Sequence, residues 1–518
     1  MAADGGFYRA SHAAEVCVTC KGRKKKCDKV LPRCGYCVRK RVGCGYGSRP
    51  RNHDHTRPVS FPLVSSHAIP SAPATSEANL YLQAHRLIRA TGQFVDDISV
   101  RYFRGMHPYL PIISRMRFHS SLITLGTTPS AGFSVLLLSI CLATSSPQLE
   151  WLTGHAANTQ AIDRRSLHLA TKSLLAQVQG SFPPSIHLIQ AALLLAVYEY
   201  AQGRPDEAFV SIAGCARMAY AARIHRPSPV PPRSEKVSLT TDTDPDTDLD
   251  LQLQVEEAAN TWWGIIICER IFFCEVTVCE QPLLTVIPCG DARLPTEPNI
   301  LEQTNFLGPE SLPYVPLSSL SSVDVGGFGR SAQAVWLLDQ VLKGFEIPSL
   351  GSRLIQLRGL DSTLQAFLGV LMRQRNEKEG IFCEAIAITI RALFTLHWHI
   401  LSQSLHVVSA KYQSLEEWCK CSHAALDTAT KMTHDVVEAH EHLDIYQFAC
   451  VAPSYLYIVK AALKHIHGRT EWKGDRWLQS AEARLCTALD RFNYHWNVND
   501  DQTPKEHQFK EGDRSNTR

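Results

Sequence analysis

The sequence lacks any apolar run long enough to cross a membrane. Its longest strongly apolar stretch, residues 133–143, is far shorter than the roughly 20 residues that span a bilayer. The first residues, MAADGGFYRASHAAEV, also lack the apolar region of a secretory signal. These two absences predict a soluble, intracellular protein with no membrane partner.

The sequence also lacks the local motifs of common hydrolases and metalloproteases, G-x-S-x-G and H-E-x-x-H. We therefore expect that the protein is not an enzyme. A zinc-dependent enzyme is the alternative from another class of function. It would require histidine or carboxylate ligands grouped in the larger part of the chain, and no such group is evident.

Charge is divided unevenly along the 518 residues. Residues 1–60 contain 14 Lys and Arg against four Asp and Glu, a net charge of +10. The remaining residues contain 39 against 46, a net charge of −7, so the total of +3 conceals a basic N-terminal region. A basic segment attached to an acidic body is typical of a protein that meets a polyanion.

Cysteine is abundant in that basic region. The chain has 17 cysteines, and without an export signal they indicate thiols and metal rather than disulfides. Six of them follow C-x2-C-x6-C-x6-C-x2-C-x6-C, in which one C-x2-C-x6-C unit is written twice. These six are Cys17, Cys20, Cys27, Cys34, Cys37 and Cys44.

The duplicated unit predicts a site for two zinc ions. Zinc prefers four tetrahedral ligands, so one ion would leave two of the six cysteines unused. Two ions require eight ligand positions, which six sulfurs fill only if two of them bridge the metals. The duplication predicts that the bridges are the first cysteines of the two halves, Cys17 and Cys34.

The residues between the cysteines resemble those of the fungal binuclear zinc-cluster transcription factors. CVTCKGRKKKCD at 17–28 and LPRCGYC at 31–37 carry the resemblance. The family pattern has Lys or Arg between the second and third cysteines, Asp or Ser after the third, and Pro two residues before the fourth. Residues 21–26, Asp28 and Pro32 comply.

The resemblance implies that a short helix presents its C-terminal end to a CGG-like triplet in the DNA major groove. Lys24 would read the bases with the backbone near Arg23, because a cation aimed at guanine O6 and N7 is a common specific contact. The other basic residues would lie along phosphates. They are Lys21, Arg23, Lys25, Lys26, Arg39, Lys40 and Arg41. The alternative for residues 21–26 is a nuclear import signal, and one segment can serve both purposes.

Composition divides the chain into five segments. Residues 1–11 are expected to be disordered, 12–45 form the zinc cluster as two short helix-loop halves, and 46–76 are a proline-rich linker. Residues 77–496 form a large all-α domain because helical periodicity dominates there, as in 164–176, the apolar stretch 186–200 and six further segments. The six are 207–223, 253–274, 384–408, 412–440, 444–466 and 475–492. Residues 497–518 are a polar, disordered tail, and 226–250 are predicted to be a disordered loop.

A second proline-rich loop is predicted over 294–329, where the glycine-rich residues 326–329 are interpreted as flexible linker. The zipper-like spacing of Leu80, Leu87 and Phe94 is interrupted by Gly92, so we predict that this stretch is core rather than a dimer seam.

The body resembles the large helical regulatory domain of the same family, at 102–118, 189–206 and 262–270. The resemblance implies a nuclear, sequence-specific regulator of RNA polymerase II transcription, an activator by the family's common role. A repressor or an inducer-sensing regulator is the alternative. The implied partners are double-stranded DNA, the transcription machinery, a second copy through the helical domain, and a small-molecule effector.

Overall fold

The computed structural model describes residues 12–13, 15–46, 76–123, 128–145, 162–226, 245–278, 280–301, 314–377, 382–406, 413–469, 474–496 and 498. The chain divides into an N-terminal unit, Met1–Ser71, and a C-terminal unit, Ala72–Arg518. The predicted disordered ends, most of the linker and residues 227–244 of the predicted loop lie outside the described residues.

The described part of the N-terminal unit contains two five-residue helices, α1 (Val18–Gly22) and α2 (Gly35–Arg39). Helices this short are unstable alone, because nucleation costs more than one turn of hydrogen bonds returns. The fully buried apolar side chains here are four cysteines rather than aliphatic residues. Sulfurs therefore occupy the place of a hydrophobic core. The two short helices with their loops correspond to the two helix-loop halves that the sequence predicts.

The described residues of the C-terminal unit form an all-α body, as predicted. Its helices are α3 (Glu77–Ala90), α4 (Val95–Gly105), α5 (Arg115–Ile123), α6 (Ala131–Thr144), α7 (Arg164–Ser181), α8 (Ile186–Ala201), α9 (Pro205–Ala221), α10 (Pro245–Phe273), α11 (Pro298–Leu301), α12 (Gly327–Phe345), α13 (Leu350–Glu377), α14 (Cys383–His406), α15 (Gln413–Glu441), α16 (Ile445–Phe448), α17 (Ser454–His467) and α18 (Arg476–Trp496). Strand-like pairing in the described residues is limited to two isolated bridges, one in each unit.

Two apolar helices form the centre of the first half of the body. All 14 residues of α6 are buried, and so is α8 from Leu188 to Ala201. Each helix begins after a serine whose hydroxyl accepts a backbone N–H, Ser130 in α6 and Ser185 in α8. The two helices pack against each other, and α8 also packs against α9. The prediction of a buried helix over 186–200 is confirmed.

A buried carboxylate fixes the segment 102–118 to the central helices. Glu257 accepts the backbone N–H of Ser114 at 2.9 Å and the Arg117 guanidinium at 2.6 Å. The amide of Gln190 in α8 donates to the same carboxylate at 3.1 Å. Burial raises the pKa of Glu257, and these three donors oppose that shift. The opening segment of the body is therefore held by hydrogen bonds as well as by apolar packing.

Helix α14 is the centre of the second half and packs against α12, α13, α15 and α17. Its residues Cys383–Gln403 are long and apolar enough to cross a membrane by composition, but 72% of the most apolar window is buried by the protein itself. In its middle, fully buried Arg391 donates to the Ile271 carbonyl at 2.5 Å and pairs with Glu275 at 3.0 Å. Burial among other helices and a paired charge are the properties of a core helix.

Two helix boundaries differ from the predicted ones, and a proline lies at each of them. Helix α10 begins at Pro245, so residues 245–250 of the predicted loop are helical instead. Proline suits the first turn of a helix because the N–H it lacks would be unbonded there, and Asp250 pairs with Arg117 at 3.0 Å. The predicted helix 444–466 is interrupted before Pro453, which disfavours a helical residue ahead of it, and resumes as α17.

The glycine-rich residues 326–329 are not a flexible linker. Gly327 and Gly329 are buried in the first turn of α12, and Glu297 accepts the Gly329 N–H at 2.8 Å. A Cβ on Gly326 would lie 2.4 Å from the Glu297 Cδ atom. The absence of side chains therefore lets a carboxylate from another segment reach the N-terminus of this helix.

Candidate metal centre and nucleic-acid interface

The duplicated cysteine unit has a duplicated backbone. Cys17 and Cys34 precede α1 and α2 in the same extended conformation, with φ and ψ of −65° and 150° and of −67° and 148°. The Cys17 Sγ accepts the N–H of Cys20 at 3.4 Å, and the Cys34 Sγ accepts that of Cys37 at 3.5 Å. Each first cysteine thus acts as the N-cap of its helix, a position that usually holds a side-chain acceptor.

Both short helices also end in the same way. Lys24 and Arg41 take the left-handed conformation, with φ of 51° and 50°. The next N–H in each half, of Lys25 and of Val42, donates back to the carbonyl of Cys20 or Cys37 at 2.9 and 3.0 Å. This is a common helix ending, and it turns the chain back towards the third cysteine of each half.

Four of the six sulfurs form a compact, fully buried group. The Sγ–Sγ distances are 3.7 Å for Cys17 to Cys34 and to Cys37, and 3.6 and 3.9 Å for Cys20 to the same two. Thiolates at about 2.3 Å from a tetrahedral zinc ion lie about 3.8 Å apart. The spacing of this donor set therefore fits zinc coordination.

The third cysteine of each half is partly buried at the edge of this group. The Cys34 N–H donates to the Cys44 Sγ at 3.3 Å and lowers the pKa of that thiol. In the first half, the backbone of Cys17 lowers the pKa of Cys27 in the same way. A hydrogen bond to sulfur favours the thiolate, the form that binds metal. Cys27 and Cys44 thus have equivalent environments in the two halves.

Asp28 joins the two halves. Both of its carboxylate oxygens accept the N–H of Gly35, at 3.0 and 2.8 Å, in the first turn of α2. A Cβ at Gly35 would lie 2.5 Å from the Asp28 Oδ2 atom, so glycine is required for this contact.

Tyr46 also contacts the cysteine group, although no sequence pattern identified it. Its hydroxyl donates to the Val30 carbonyl at 3.0 Å and lies 4.0 Å from the Cys27 Sγ. No spacing in this single sequence pointed to that tyrosine.

All eight predicted DNA-contacting residues are exposed, and none forms an ion pair with a residue that the structure describes. Five follow or end α1, namely Lys21, Arg23, Lys24, Lys25 and Lys26. Three end or follow α2, namely Arg39, Lys40 and Arg41. Unpaired cations on one small unit create a strong positive potential, which attracts a polyanion.

The equivalent turns of the two halves differ in charge. Residues 17 apart in sequence occupy matching positions, so Lys24 matches Arg41. After that position the first half has Lys25 and Lys26, whereas the second half has Val42 and Gly43. The backbone is repeated, but the positive charge is concentrated in the first half.

The enzyme alternative requires grouped metal ligands in the body. Among the described residues of the body, His434, Asp435 and Glu438 form such a group, and its two carboxylates are exposed. Arg484 lies within it, 2.9 Å from the His434 Nε2 and 3.1 Å from the Glu438 carboxylate. A guanidinium among the ligands opposes binding of a second cation, so this group is better described as an ion-pair cluster.

Two parts of the chain match known protein families. Residues 15–53 match the fungal Zn(2)-Cys(6) binuclear cluster domain, and residues 100–275 match the fungal specific transcription factor domain. The chain is also similar to transcription factor BOA15 of Botryotinia fuckeliana (strain B05.10), with 27% identity over 131 residues. That alignment covers 25% of this chain and 68% of the relative.

These matches agree with the geometry of the cysteine group. A binuclear cluster domain binds two zinc ions, and the N-terminal unit presents buried, mutually adjacent sulfurs that can hold metal. Both matched families are transcription factor domains rather than enzymes. The N-terminal unit thus contains a zinc-cluster DNA-binding domain, and the body contains the matched fungal specific transcription factor domain.

Proposed function

We propose that this chain, which belongs to the fungal binuclear zinc-cluster transcription factors, reads a CGG-like triplet in the DNA major groove through Lys24. The observation that carries the proposal is the left-handed turn at the end of α1, where an exposed lysine follows a helix that two cysteines anchor. A short helix end bearing a cation suits the O6 and N7 acceptors of guanine.

The charge difference between the halves supports Lys24 over its counterpart Arg41. Lys25 and Lys26 extend the positive surface on the first half only, so DNA phosphates flanking the triplet are attracted to that side. The backbone near Arg23 contributes to reading the triplet. The remaining cations bind phosphates and set the orientation of the domain. They are Lys21, Arg23, Lys25, Lys26, Arg39, Lys40 and Arg41.

We assign the six N-terminal cysteines as the ligands of both zinc ions. Cys17 and Cys34 bridge the metals, and the 3.7 Å between their sulfurs is compatible with two shared ligands. Cys20 and Cys27 complete one site, and Cys37 and Cys44 complete the other. The bound ions supply the folding free energy that the few apolar side chains of this unit cannot provide.

The domain arrangement follows from these roles. Residues 12–45 bind DNA, 46–76 connect, and 77–496 regulate. The protein acts in the nucleus as an activator of RNA polymerase II genes, the common role in its family, and contacts the transcription machinery. A small-molecule effector and a second copy of the chain bind through the helical domain.

Replacement of Lys24 tests the base-reading role. Lys24→Ala should weaken binding of the full chain to a CGG-containing duplex by about 1–3 kcal/mol and change binding to random duplex little. The matched variant is Lys40→Ala, which removes a proposed phosphate contact and should weaken binding to both duplexes about equally. Both affinities are measured by fluorescence anisotropy at one fixed salt concentration, because phosphate contacts depend on salt.

An unchanged ratio of specific to non-specific affinity in Lys24→Ala would contradict the base-reading role. A lower ratio in Lys40→Ala would instead move that role to the second half of the cluster.

A further inference from the structure

A groove in the helical body lies between α14, α17 and the residues that follow α10. It has room for about 360 Å³ and opens to solvent. Ligand sites usually enclose about 300 to 1,000 Å³, so the groove can hold a small molecule. Two aromatic side chains, Trp398 and Tyr457, line it, and both pack against the core while remaining partly accessible. The groove therefore offers ring surfaces to a ligand.

Two lysines of α17, Lys460 and Lys464, line the same groove. Both are exposed, and neither forms an ion pair with a residue that the structure describes. Residues four apart on a helix lie on one face, so these two like charges repel each other. A negatively charged group bound between them removes that repulsion.

The ammonium of Lys464 has a defined place in the groove. Its Nζ lies 4.9 Å from the centroid of the Trp398 ring, a distance at which the ring attracts a cation. The Trp398 ring in turn packs against Phe394, with the ring centroids 5.2 Å apart. A cation that is already positioned loses little freedom on binding. Positive charge and aromatic surface therefore lie side by side.

The charge of the nearby carboxylate is already balanced. Glu275 is the only carboxylate among the described residues that line the groove. It pairs with the fully buried Arg391 at 3.0 Å and accepts the hydroxyl of Tyr200. The Arg391 guanidinium also lies 3.8 Å from the centroid of the Tyr457 ring. The two lysines thus leave the groove with a net positive charge, which favours an anion.

The kind of cation indicates the kind of anion. Lysine binds phosphate as a compact point charge and has no planar fork that would favour a carboxylate. A phosphate monoester carries a charge of about −1.5 to −2 near pH 7 and three acceptor oxygens, which matches two ammonium groups. Thr395 adds a hydroxyl to the wall, 3.4 Å from that of Tyr457. A phosphate ester therefore suits the polar side of the groove, and a flat ring suits its aromatic side.

We propose that this groove binds a small phosphate monoester with a flat aromatic body. Its phosphate accepts hydrogen bonds from Lys460 and Lys464, and its ring packs against Trp398 and Tyr457.

The groove lies at the end of the segment that matches the fungal specific transcription factor domain. Glu275 is the last residue of that match, 100–275, whereas α14 and α17 lie beyond it. A bound ester connects the matched domain with the helices that follow. It gives a chemical class to the proposed small-molecule effector, so its regulatory effect rests on the proposed function, whereas the binding itself does not.

Calorimetric titration of the full chain with 2-naphthyl phosphate tests the site at about pH 8, where the ester is a dianion. The Kd should be below about 1 mM and at least about tenfold lower than for 2-naphthol or inorganic phosphate, because these offer only the ring or only the charge. Lys460→Met and Lys464→Met should each weaken binding at least about threefold, and the double variant at least about tenfold. Lys464→Arg keeps the charge and should bind more tightly than Lys464→Met.

The matched control is Lys431→Met, which removes an exposed lysine that also lies near a tryptophan, 5.8 Å from the Trp477 ring centroid, outside the groove. It should leave ester binding unchanged. Lys24→Ala should also leave it unchanged, which separates the groove from the basic N-terminal unit. Circular dichroism checks that each variant is folded.

The proposal is overturned if 2-naphthyl phosphate does not bind the full chain, or if inorganic phosphate binds as tightly. It is also overturned if the double lysine variant binds the ester as tightly as the unmodified chain, or if Lys431→Met weakens binding as much as the groove variants. Each of these failures would leave the DNA-affinity ratio of Lys24→Ala unaffected, so the two proposals fail separately.

Discussion

Single left-handed residues shape the surface that we propose for DNA recognition. Lys24 and Arg41 both have a positive φ, a conformation that costs a non-glycine residue about 1–2 kcal/mol. In both halves this cost is offset by a hydrogen bond, because the N–H of the following residue donates to the carbonyl of a cysteine in the preceding helix. Metal binding by those cysteines would then stabilise the turn that presents each basic side chain.

The bridging assignment can be tested at a single cysteine. Cys34→Ala should lower the zinc content of the full chain from two ions to almost none, because a bridging sulfur belongs to both coordination spheres. Cys44→Ala is the matched control, since it removes a ligand of one ion and should leave about one ion bound. Zinc per chain is measured by mass spectrometry of the metal after gel filtration. Retention of one ion by Cys34→Ala would count against the bridge.

At the scale of elements, helices in the second half of the body are joined by buried polar contacts as well as by apolar side chains. Glu384 in the first turn of α14 accepts the hydroxyl of Ser454 at the start of α17. Burial raises the pKa of Glu384 to about 7, against the opposing effects of Ser454 and Arg391. Burial therefore disfavours the ionised form of Glu384 more strongly than the Ser454 hydroxyl and Arg391 favour it, so this carboxyl titrates near neutral pH.

Glu384 should make the body less stable as pH rises. Its pKa in the folded state lies above the ordinary value of 4.5, so the folded protein holds this proton more tightly than the unfolded chain. The stabilisation is complete below about pH 4.5 and is lost as pH rises through about 7, a total of about 3 kcal/mol. Glu384→Gln should remove this part of the pH dependence, as measured by urea unfolding at pH 5 and pH 8.

The matched control for that experiment is Glu346→Gln, which changes an exposed carboxylate at the end of α12. It should unfold with the same pH dependence as the unmodified chain. If Glu384→Gln also retains the full pH dependence, Glu384 does not titrate in this range.

At the scale of the whole molecule, the apolar residues that resemble a zipper belong to the body. Leu80 and Ile98 are buried in its core at 1% and 0% exposure, and Gly92 between them has a φ of 77° that ends α3. Phe94 is exposed but lies beyond that break. Leu80 and Ile98 are therefore core, as the sequence predicts, whereas Phe94 is not, and a continuous coiled coil is not formed over 76–98.

A fragment of residues 1–76 should consequently be monomeric, and any dimer of the full chain should form through the helical body. The five prolines between Pro50 and Pro73 disfavour a heptad helix in the fragment. The fragment should bind one triplet weakly, with a steep salt dependence from its cations. Sedimentation velocity of the fragment beside the full chain measures this, and a stable dimer of the fragment would contradict it.

The sequence by itself determined the features that depend on local spacing. Six cysteines at repeated intervals predicted two equivalent helix-loop halves, because each capping contact and turn joins residues within eight positions of one another. The continuous apolar stretch 186–200 likewise predicted the buried helix α8, since a helix that is apolar on all sides must be surrounded by protein.

Only the tertiary structure decided the features that depend on distant residues. Gly326 and Gly329 begin a helix because Glu297 reaches them from another segment, and no local pattern reports that contact. Likewise, Arg391 in α14 reaches the Ile271 carbonyl, 120 positions away in sequence, only after α10 and α14 have packed into the same body. Local periodicity reports what a segment can form alone, whereas burial and contacts between distant residues arise from which segments pack together.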